Sequence, residues 1–130
     1  MIKAISKETP YQVEFTNGHH SAMADATKDK GGAEAGFRPH ELLEAALAAC
    51  MNITATMYAA KHAVPLKQVV TKVSLDRSDS EQVIFDCIVE LKGNLTAEQR
   101  KALMSAVRTC PVRKTLSRSI KFSEKELVNE

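Results

Sequence analysis

Three cysteines are the residues of this sequence best suited to carry out chemistry. Cys50, Cys87 and Cys110 form no CxxC pair and their number is odd, which argues against a disulfide framework and against a zinc ribbon. A cysteine outside such a pattern is either a buried packing residue or a reactive thiol, which becomes a nucleophile when it loses its proton. The question is which of the three are reactive.

Cys110 has the local context of a reactive thiol. Pro111 is typical of the first position of a helix, which places Cys110 at the N-cap. Unpaired backbone N–H groups and the positive end of the helix dipole favour the thiolate there, and Arg108 and Arg113 would lower the pKa in the same direction. The alternative is a small buried hydrophobe beside a turn, and both interpretations stay open.

The other two cysteines have the patterns of packing residues. Cys50 lies in the middle of an alanine-rich helical segment, on a stripe of larger apolar residues, and no helix terminus is near enough to activate it. Cys87 alternates with apolar residues on one face of a predicted strand. Because free cysteine is among the most buried residue types, the pattern alone favours the core for both.

No further chemistry is indicated by the histidines or by known motifs. The four histidines, His19, His20, His40 and His62, have no HxH or HExxH spacing, so we expect no metal. GxGxxG, GxxxxGK[ST] and GxSxG are absent from the sequence, so nucleotide-fold and hydrolase functions have no motif to support them. We therefore expect no cofactor.

The elements that must position the thiols begin with a hairpin and a long helix. Alternating residues predict a strand over 11–18, a turn at its Asn-Gly end and a return strand over 20–24, with an edge strand over 2–7. A charged, glycine-containing loop over 27–36 precedes a helix over 39–63. We expect this alanine-rich helix to be central and covered on several sides. Its apolar stripe comprises Leu43, Leu47, Cys50, Ile53 or Thr54, and Met57.

The second half of the chain predicts two more strands and two helices. The strands cover 68–76 and 83–91, and a helix capped by Asn94 or Thr96 runs to about Arg108. A short helix over 112–117 and a last strand over 119–122 complete the order β-β-β-α-β-β-α-α-β. Strands adjacent in the sequence pair antiparallel, so the predicted class is α+β.

Composition limits the kinds of partner. The chain has 130 residues, of which 44% are hydrophobic and 26% charged, as expected of a single soluble domain over residues 1–130. A net charge of +2 and 5% aromatic residues argue against nucleic acid and against an anionic membrane surface. No apolar run approaches the roughly 18 residues of a membrane span, and the N-terminus lacks a signal-peptide core, so we expect a cytoplasmic protein.

Two segments resemble the motifs of the OsmC/Ohr family (osmotically inducible protein C and organic hydroperoxide resistance). Residues 36–51, GFRPHELLEAALAACM, resemble the P-x-E-L-L-x-A-A-L-x-x-C pattern of the family's central helix. Residues 109–116, TCPVRKTL, resemble its second signature, C-P-[VI]-x-x-x-L. The order of strands also matches, so the resemblance covers about residues 11 to 122. Two motifs at this separation are more specific than either alone.

This resemblance implies a fold, a partner and a reaction. The fold is OsmC-like, with antiparallel sheets around the central helix of an intertwined homodimer whose sites lie at the interface. The reaction is the reduction of organic hydroperoxides in oxidative-stress defence: Cys50 is the peroxidatic thiol, Cys110 resolves the resulting sulfenic acid to a disulfide, and a thiol or dithiol reductant reopens it. This assignment reverses the order of reactivity that local context gives the two cysteines.

The charged residues depart from the peroxidase branches of the family. Those branches use an arginine from the N-terminal region, held by a glutamate directly after the motif proline. Here His40 follows Pro39, Glu41 comes one position later, and no arginine precedes Arg38. Arg38 paired with Glu41 could support the Cys50 thiolate, and the alternative is an ordinary surface ion pair. The departure points to the general OsmC-like branch.

Two other hypotheses use the same residues. In one, the chain is a non-catalytic homodimer that binds a small apolar or acyl ligand, and its cysteines only pack. In the other, the cysteine pair is a redox sensor that forms a disulfide without sustained turnover. Thiol reactivity in the native protein separates these hypotheses, because only the first predicts slow labelling of every cysteine.

Overall fold

The computed structural model describes residues 1–128. These residues form two compact units, one of Met1–Ala48 with Lys72–Ile88 and the other of Ala49–Thr71 with the described residues from Val89 onward. Strands pair antiparallel and helices follow them in both units, which confirms the α+β prediction. The assignment of residues 1–130 to a single domain stays a prediction.

A three-stranded antiparallel sheet begins the first unit. Strands β1 (Lys3–Ser6), β2 (Val13–Thr16) and β3 (Ser21–Ala24) pair in sequence order. The turn between β2 and β3 forms because the Asn17 side chain accepts hydrogen bonds from the backbone N–H groups of His19 and His20, both at 2.8 Å. Gly18 has a φ of 97° there, a conformation that favours glycine. The predicted hairpin and edge strand are confirmed.

The loop after β3 is held together by a buried carboxylate. Asp25 is 3% exposed, and its side chain accepts hydrogen bonds from Ala26 N at 2.7 Å, Ala35 N at 3.0 Å and Ala33 N at 3.2 Å. These donors, Ala35 first, hold the pKa of Asp25 below its usual value despite burial. The loop therefore returns tightly to β3, and Asp25 N donates to Phe37 O at 3.0 Å. The predicted loop contains a single 3-10 turn, Lys28–Lys30.

Helix α1 spans Pro39–Lys61, close to the prediction. Its buried residues recur every fourth position and are Leu47, Met51, Ala55 and Ala59. The predicted stripe is wrong at Leu43 and Met57, which are exposed, the latter by 67%. Of the alternatives Ile53 and Thr54, the first is exposed and the second half-buried. The helix has apolar residues around most of its circumference, so the sequence does not mark the face that the chain itself covers.

The expectation that α1 is covered on several sides is also not met within the chain. Only 22% of the apolar 18-residue segment within this helix is buried. By length and composition this helix could cross a membrane, a test that core helices of soluble proteins also pass. The expectation that no apolar segment is long enough to do so is therefore wrong for α1.

Strands β4 (Leu66–Asp76) and β5 (Ile84–Gly93) form a two-stranded sheet within two residues of their predicted bounds. The end of β5 lies against the start of β4, since the backbone at Gly93 touches that of Pro65 and Leu66, and the pair is therefore antiparallel. The predicted core position of Cys87 on β5 is wrong, because this residue is exposed.

Two helices complete the second unit. Helix α2 (Ala97–Val107) begins at the Thr96 cap, where Thr96 and Gln99 exchange backbone and side-chain hydrogen bonds in a capping box. Helix α3 (Pro111–Leu116) follows as predicted. The last predicted strand, residues 119–122, is wrong, because this segment pairs with no strand among residues 1–128 and its Phe122 is 85% exposed.

Candidate functional site

Cys110 is the N-cap of α3. Its Sγ accepts a hydrogen bond from Arg113 N at 3.3 Å, and Pro111 occupies the first helical position. The residue is fully buried, with 0% of its surface exposed. Its own N–H donates to Val107 O at 3.2 Å, which ties it to the last turn of α2. The structure therefore confirms the predicted cap position of this cysteine.

The environment of Cys110 raises its pKa above the ordinary value. Burial is the largest cause, and the neighbouring Cys50 side chain adds to it by hydrogen bonding and by charge. The N–H groups of Arg113 and Val112 act in the opposite direction and are outweighed. The inference from local sequence that Cys110 is the better activated thiol is therefore wrong, because the sequence could not show that the helix start is buried.

Cys50 lies in α1 and meets Cys110 within the second unit. Its side chain interacts with the Cys110 thiol, although the two residues are far apart in the sequence. Cys50 is partly exposed and Cys110 is buried. One residue of the pair is therefore partly open to solvent, and the other is enclosed.

Arg38 and Glu41 form an ion pair at the start of α1 in the first unit. Arg38 Nε lies 3.4 Å from Glu41 Oε1, and the same oxygen accepts a hydrogen bond from Arg38 N at 2.8 Å. Both interactions hold the pKa of Glu41 below its usual value. The side chains are 59% and 39% exposed. The pair thus stabilises the first turn of the helix. Its role in supporting the Cys50 thiolate stays a prediction.

A polar cleft of about 540 Å³ also opens at the start of α1. The basic residues that line this cleft are Lys30, Arg38, His40 and Arg77. Its acidic residues include Asp25 and Glu44. These two carboxylates bind backbone N–H groups of the chain itself, Glu44 through Leu75 N at 2.7 Å. In residues 1–128, no group of three or more His, Cys, Asp or Glu side chains is placed to hold a metal ion.

The sequence did not identify two groups near these sites. The first group is the pair of backbone amides of Val112 and Arg113, which interact with the Cys110 sulfur. The Cys-Pro helix start predicts that free N–H groups lie near this sulfur, but it does not identify the residues that supply them. Asp25 organises the loop before Arg38, and the one available signal was an acidic residue directly after an apolar strand.

Comparisons with known proteins agree with the motifs. A family model described as OsmC-like protein matches residues 30–125. The crystal structure of an OsmC-like protein from Mycoplasma pneumoniae is 21% identical, with a TM-score of 0.74, and the match covers 89% of this chain and 85% of that one. A comparison with curated proteins gave no significant match.

Two similar structures carry a more specific description. An organic hydroperoxide resistance protein OsmC from Legionella pneumophila is 21% identical, with a TM-score of 0.62 and coverage of 90% of this chain and 88% of that one. The organic hydroperoxide resistance protein OhrB of Bacillus subtilis is 19% identical, with a TM-score of 0.63 and coverage of 90% and 89%. At these identities the likeness shows a shared fold.

Proposed function

Because the chain belongs to the OsmC-like protein family, we propose that it is a thiol-dependent peroxidase that reduces organic hydroperoxides through Cys50 and Cys110. The observation that carries this proposal is the interaction of the Cys50 and Cys110 side chains, which belong to one partly exposed and one buried residue. Two structures of the same fold are described as organic hydroperoxide resistance proteins. The proposed setting is oxidative-stress defence in the cytoplasm.

Cys50 is the peroxidatic thiol in this proposal. It is the more exposed residue of the pair, which supports its assignment as the thiol that meets the hydroperoxide first. The thiolate attacks the outer peroxide oxygen, the O–O bond breaks, and the alcohol leaves after taking up a proton. Cys50 is then a sulfenic acid, oxidised by two electrons, and the hydroperoxide has been reduced by the same two electrons.

Cys110 is the resolving thiol. Its sulfur attacks the Cys50 sulfenic acid, an S–S bond forms, and water leaves with the proton of the Cys110 thiol. Burial keeps Cys110 in the protonated form until this step, so the hydroperoxide meets one reactive thiol and not two. A thiol or dithiol reductant then returns both residues to the reduced state.

The Arg38–Glu41 pair is proposed to support the Cys50 thiolate in a homodimer. A guanidinium near a thiolate lowers the thiol pKa and raises the reactive fraction at neutral pH. Helix α1 leaves apolar residues exposed, including Leu43, Ile53 and Met57. Because large exposed apolar patches mark interaction sites, this exposure supports the proposal that a second copy of the chain packs against the helix.

Peroxide consumption with matched cysteine variants tests the proposal. Cumene or tert-butyl hydroperoxide is expected to be consumed in the presence of a dithiol, Cys50→Ser should abolish the activity, and Cys87→Ser should retain it. Turnover no faster than that of the free dithiol would contradict the peroxidase assignment. Stoichiometric disulfide formation without turnover would indicate a redox sensor, and slow alkylation of all three cysteines would indicate a binding protein.

A further inference from the structure

The charge of this chain is divided unevenly between its two units. The first unit has seven Lys and Arg against eleven Asp and Glu, whereas the described part of the second has eleven against four. The net charge of +2 averages these opposite values. Exposed charges act over about one Debye length, roughly 8 Å at physiological salt, so a ligand meets the local charge and not the average. The expectation that no nucleic acid is bound rests on the average, and the second unit departs from it.

Most of the positive charge lies in residues 99–123, the basic segment, which contains no Asp or Glu. Its basic residues are Arg100, Lys101, Arg108, Arg113, Lys114, Arg118 and Lys121. All seven are exposed, and none forms an ion pair with a carboxylate of residues 1–128. Their charges are therefore open to an anion from outside the chain.

Helix α2 turns two of these cations outward on one face. Leu103 and Val107, which are 0% and 2% exposed, bury the opposite face of the helix. Lys101, Ser105 and Arg108 are exposed, and their spacing of four and three residues places them on a common face. At 1.5 Å per residue, Lys101 and Arg108 lie about 10 Å apart along the helix axis. The outward face of α2 is therefore polar and positively charged.

This surface fits a phosphate backbone better than it fits an acidic protein. Protein interfaces are anchored by aromatic or large apolar side chains, and neither α2 nor α3 exposes one. Contacts to phosphates need only cations. Because duplex DNA presents one negative charge per about 1.7 Å of its axis, cations about 10 Å apart can each reach a phosphate of the same duplex.

We propose that the basic segment binds duplex DNA through its phosphate groups, without reading the base sequence. Binding of this kind has a Kd of about 10⁻⁴ to 10⁻⁶ M at physiological salt and tightens as the salt concentration falls. The proposal depends on neither Cys50 nor Cys110. It therefore stands or falls separately from the peroxidase activity.

The salt dependence of binding tests the proposal with two double variants of equal charge. The fluorescence anisotropy of a labelled mixed-sequence duplex of about 20 base pairs is titrated with protein between about 50 and 200 mM salt. For Lys101→Gln with Arg108→Gln, the slope of log K against log salt is expected to be shallower by about 2, because two phosphate contacts are lost. Lys3→Gln with Lys72→Gln removes the same charge from exposed positions of the first unit and should leave the slope unchanged.

Three results would overturn the proposal. The first is the absence of binding at the lowest salt concentration. The second is an equal change of slope in the two double variants, because binding would then follow the net charge and not the basic segment. The third comes from competition at equal charge concentration: poly-L-glutamate that displaces the labelled duplex as well as unlabelled duplex does would assign the surface to acidic polypeptides.

Discussion

Replacing Cys110 with alanine or serine separates the structural role of its sulfur from its redox role. The sulfur caps α3 through Arg113 N at 3.3 Å and fills a fully buried position. Alanine removes both the cap acceptor and the buried atom. Serine removes the redox chemistry but supplies a hydroxyl oxygen, which is among the best N-cap acceptors.

The expected magnitudes follow from these two contributions. Loss of an N-cap acceptor costs about 1 kcal/mol, and loss of one buried heavy atom with its small cavity costs about another 1 kcal/mol. Cys110→Ala should therefore lower the free energy of unfolding by about 2 kcal/mol. Cys110→Ser keeps the cap acceptor but buries a smaller and more polar hydroxyl in place of the sulfur, so its loss should be about 1 kcal/mol. The difference corresponds to roughly a fivefold change in the equilibrium constant.

Urea unfolding and amide hydrogen exchange measure the two effects. Unfolding is compared at one protomer concentration, since association with a second copy would add to the apparent stability. Exchange is followed at Lys114 and Ser117, whose N–H groups donate to Cys110 O and Arg113 O within α3. The alanine variant should exchange faster at both amides than the serine variant. Identical stability and identical exchange in the two variants would refute the cap assignment.

Three further predictions concern pH and capping. The pKa of Asp25 is lowered by folding, so the stability that its carboxylate provides is present above pH 3.8 and is lost as the pH falls below it. The difference in Tm between wild type and Asp25→Asn should therefore shrink below pH 3.8. The pKa of Cys110 is raised, so wild type should lose stability relative to Cys110→Ser as the pH rises above 9.0. Thr96→Ala should cost about 1 kcal/mol in urea unfolding and Thr96→Ser much less, and equal losses would contradict the capping box.

Local signals predicted the elements of this fold well. The Asn-Gly turn, the Thr96 cap and the Cys110-Pro111 helix start each depend on interactions within a few residues, which a sequence displays directly. The bounds of α1, β4 and β5 followed from their apolar patterns for the same reason.

Most of the errors concern which part of the chain lies against a residue. The face of α1 that the chain buries was misassigned because alanines make several faces equally able to pack. Cys87 alternates correctly along β5 but is exposed, and residues 119–122 lack a partner strand among the described residues. Alternation shows which side chains share a face, and a second element decides whether that face is buried.

The candidate site illustrates the same division between local and distant information. The sequence placed Cys110 at a helix start but not in a buried position, so the direction of its pKa shift was wrong. The contact of Cys110 with Cys50 joins two distant segments, and only the family motifs indicated it. The Arg38–Glu41 pair was visible locally because it closes one helical turn.

Oxidation of the cysteine pair by a hydroperoxide is the most direct test of the proposed chemistry. Intact mass is measured under non-reducing conditions, with and without one equivalent of cumene hydroperoxide. A Cys50–Cys110 disulfide should lower the mass by about two units per chain, one hydrogen from each thiol, and Cys110→Ser should instead gain about 16 units as the Cys50 sulfenic acid. An unchanged mass, or a disulfide that involves Cys87, would contradict the account.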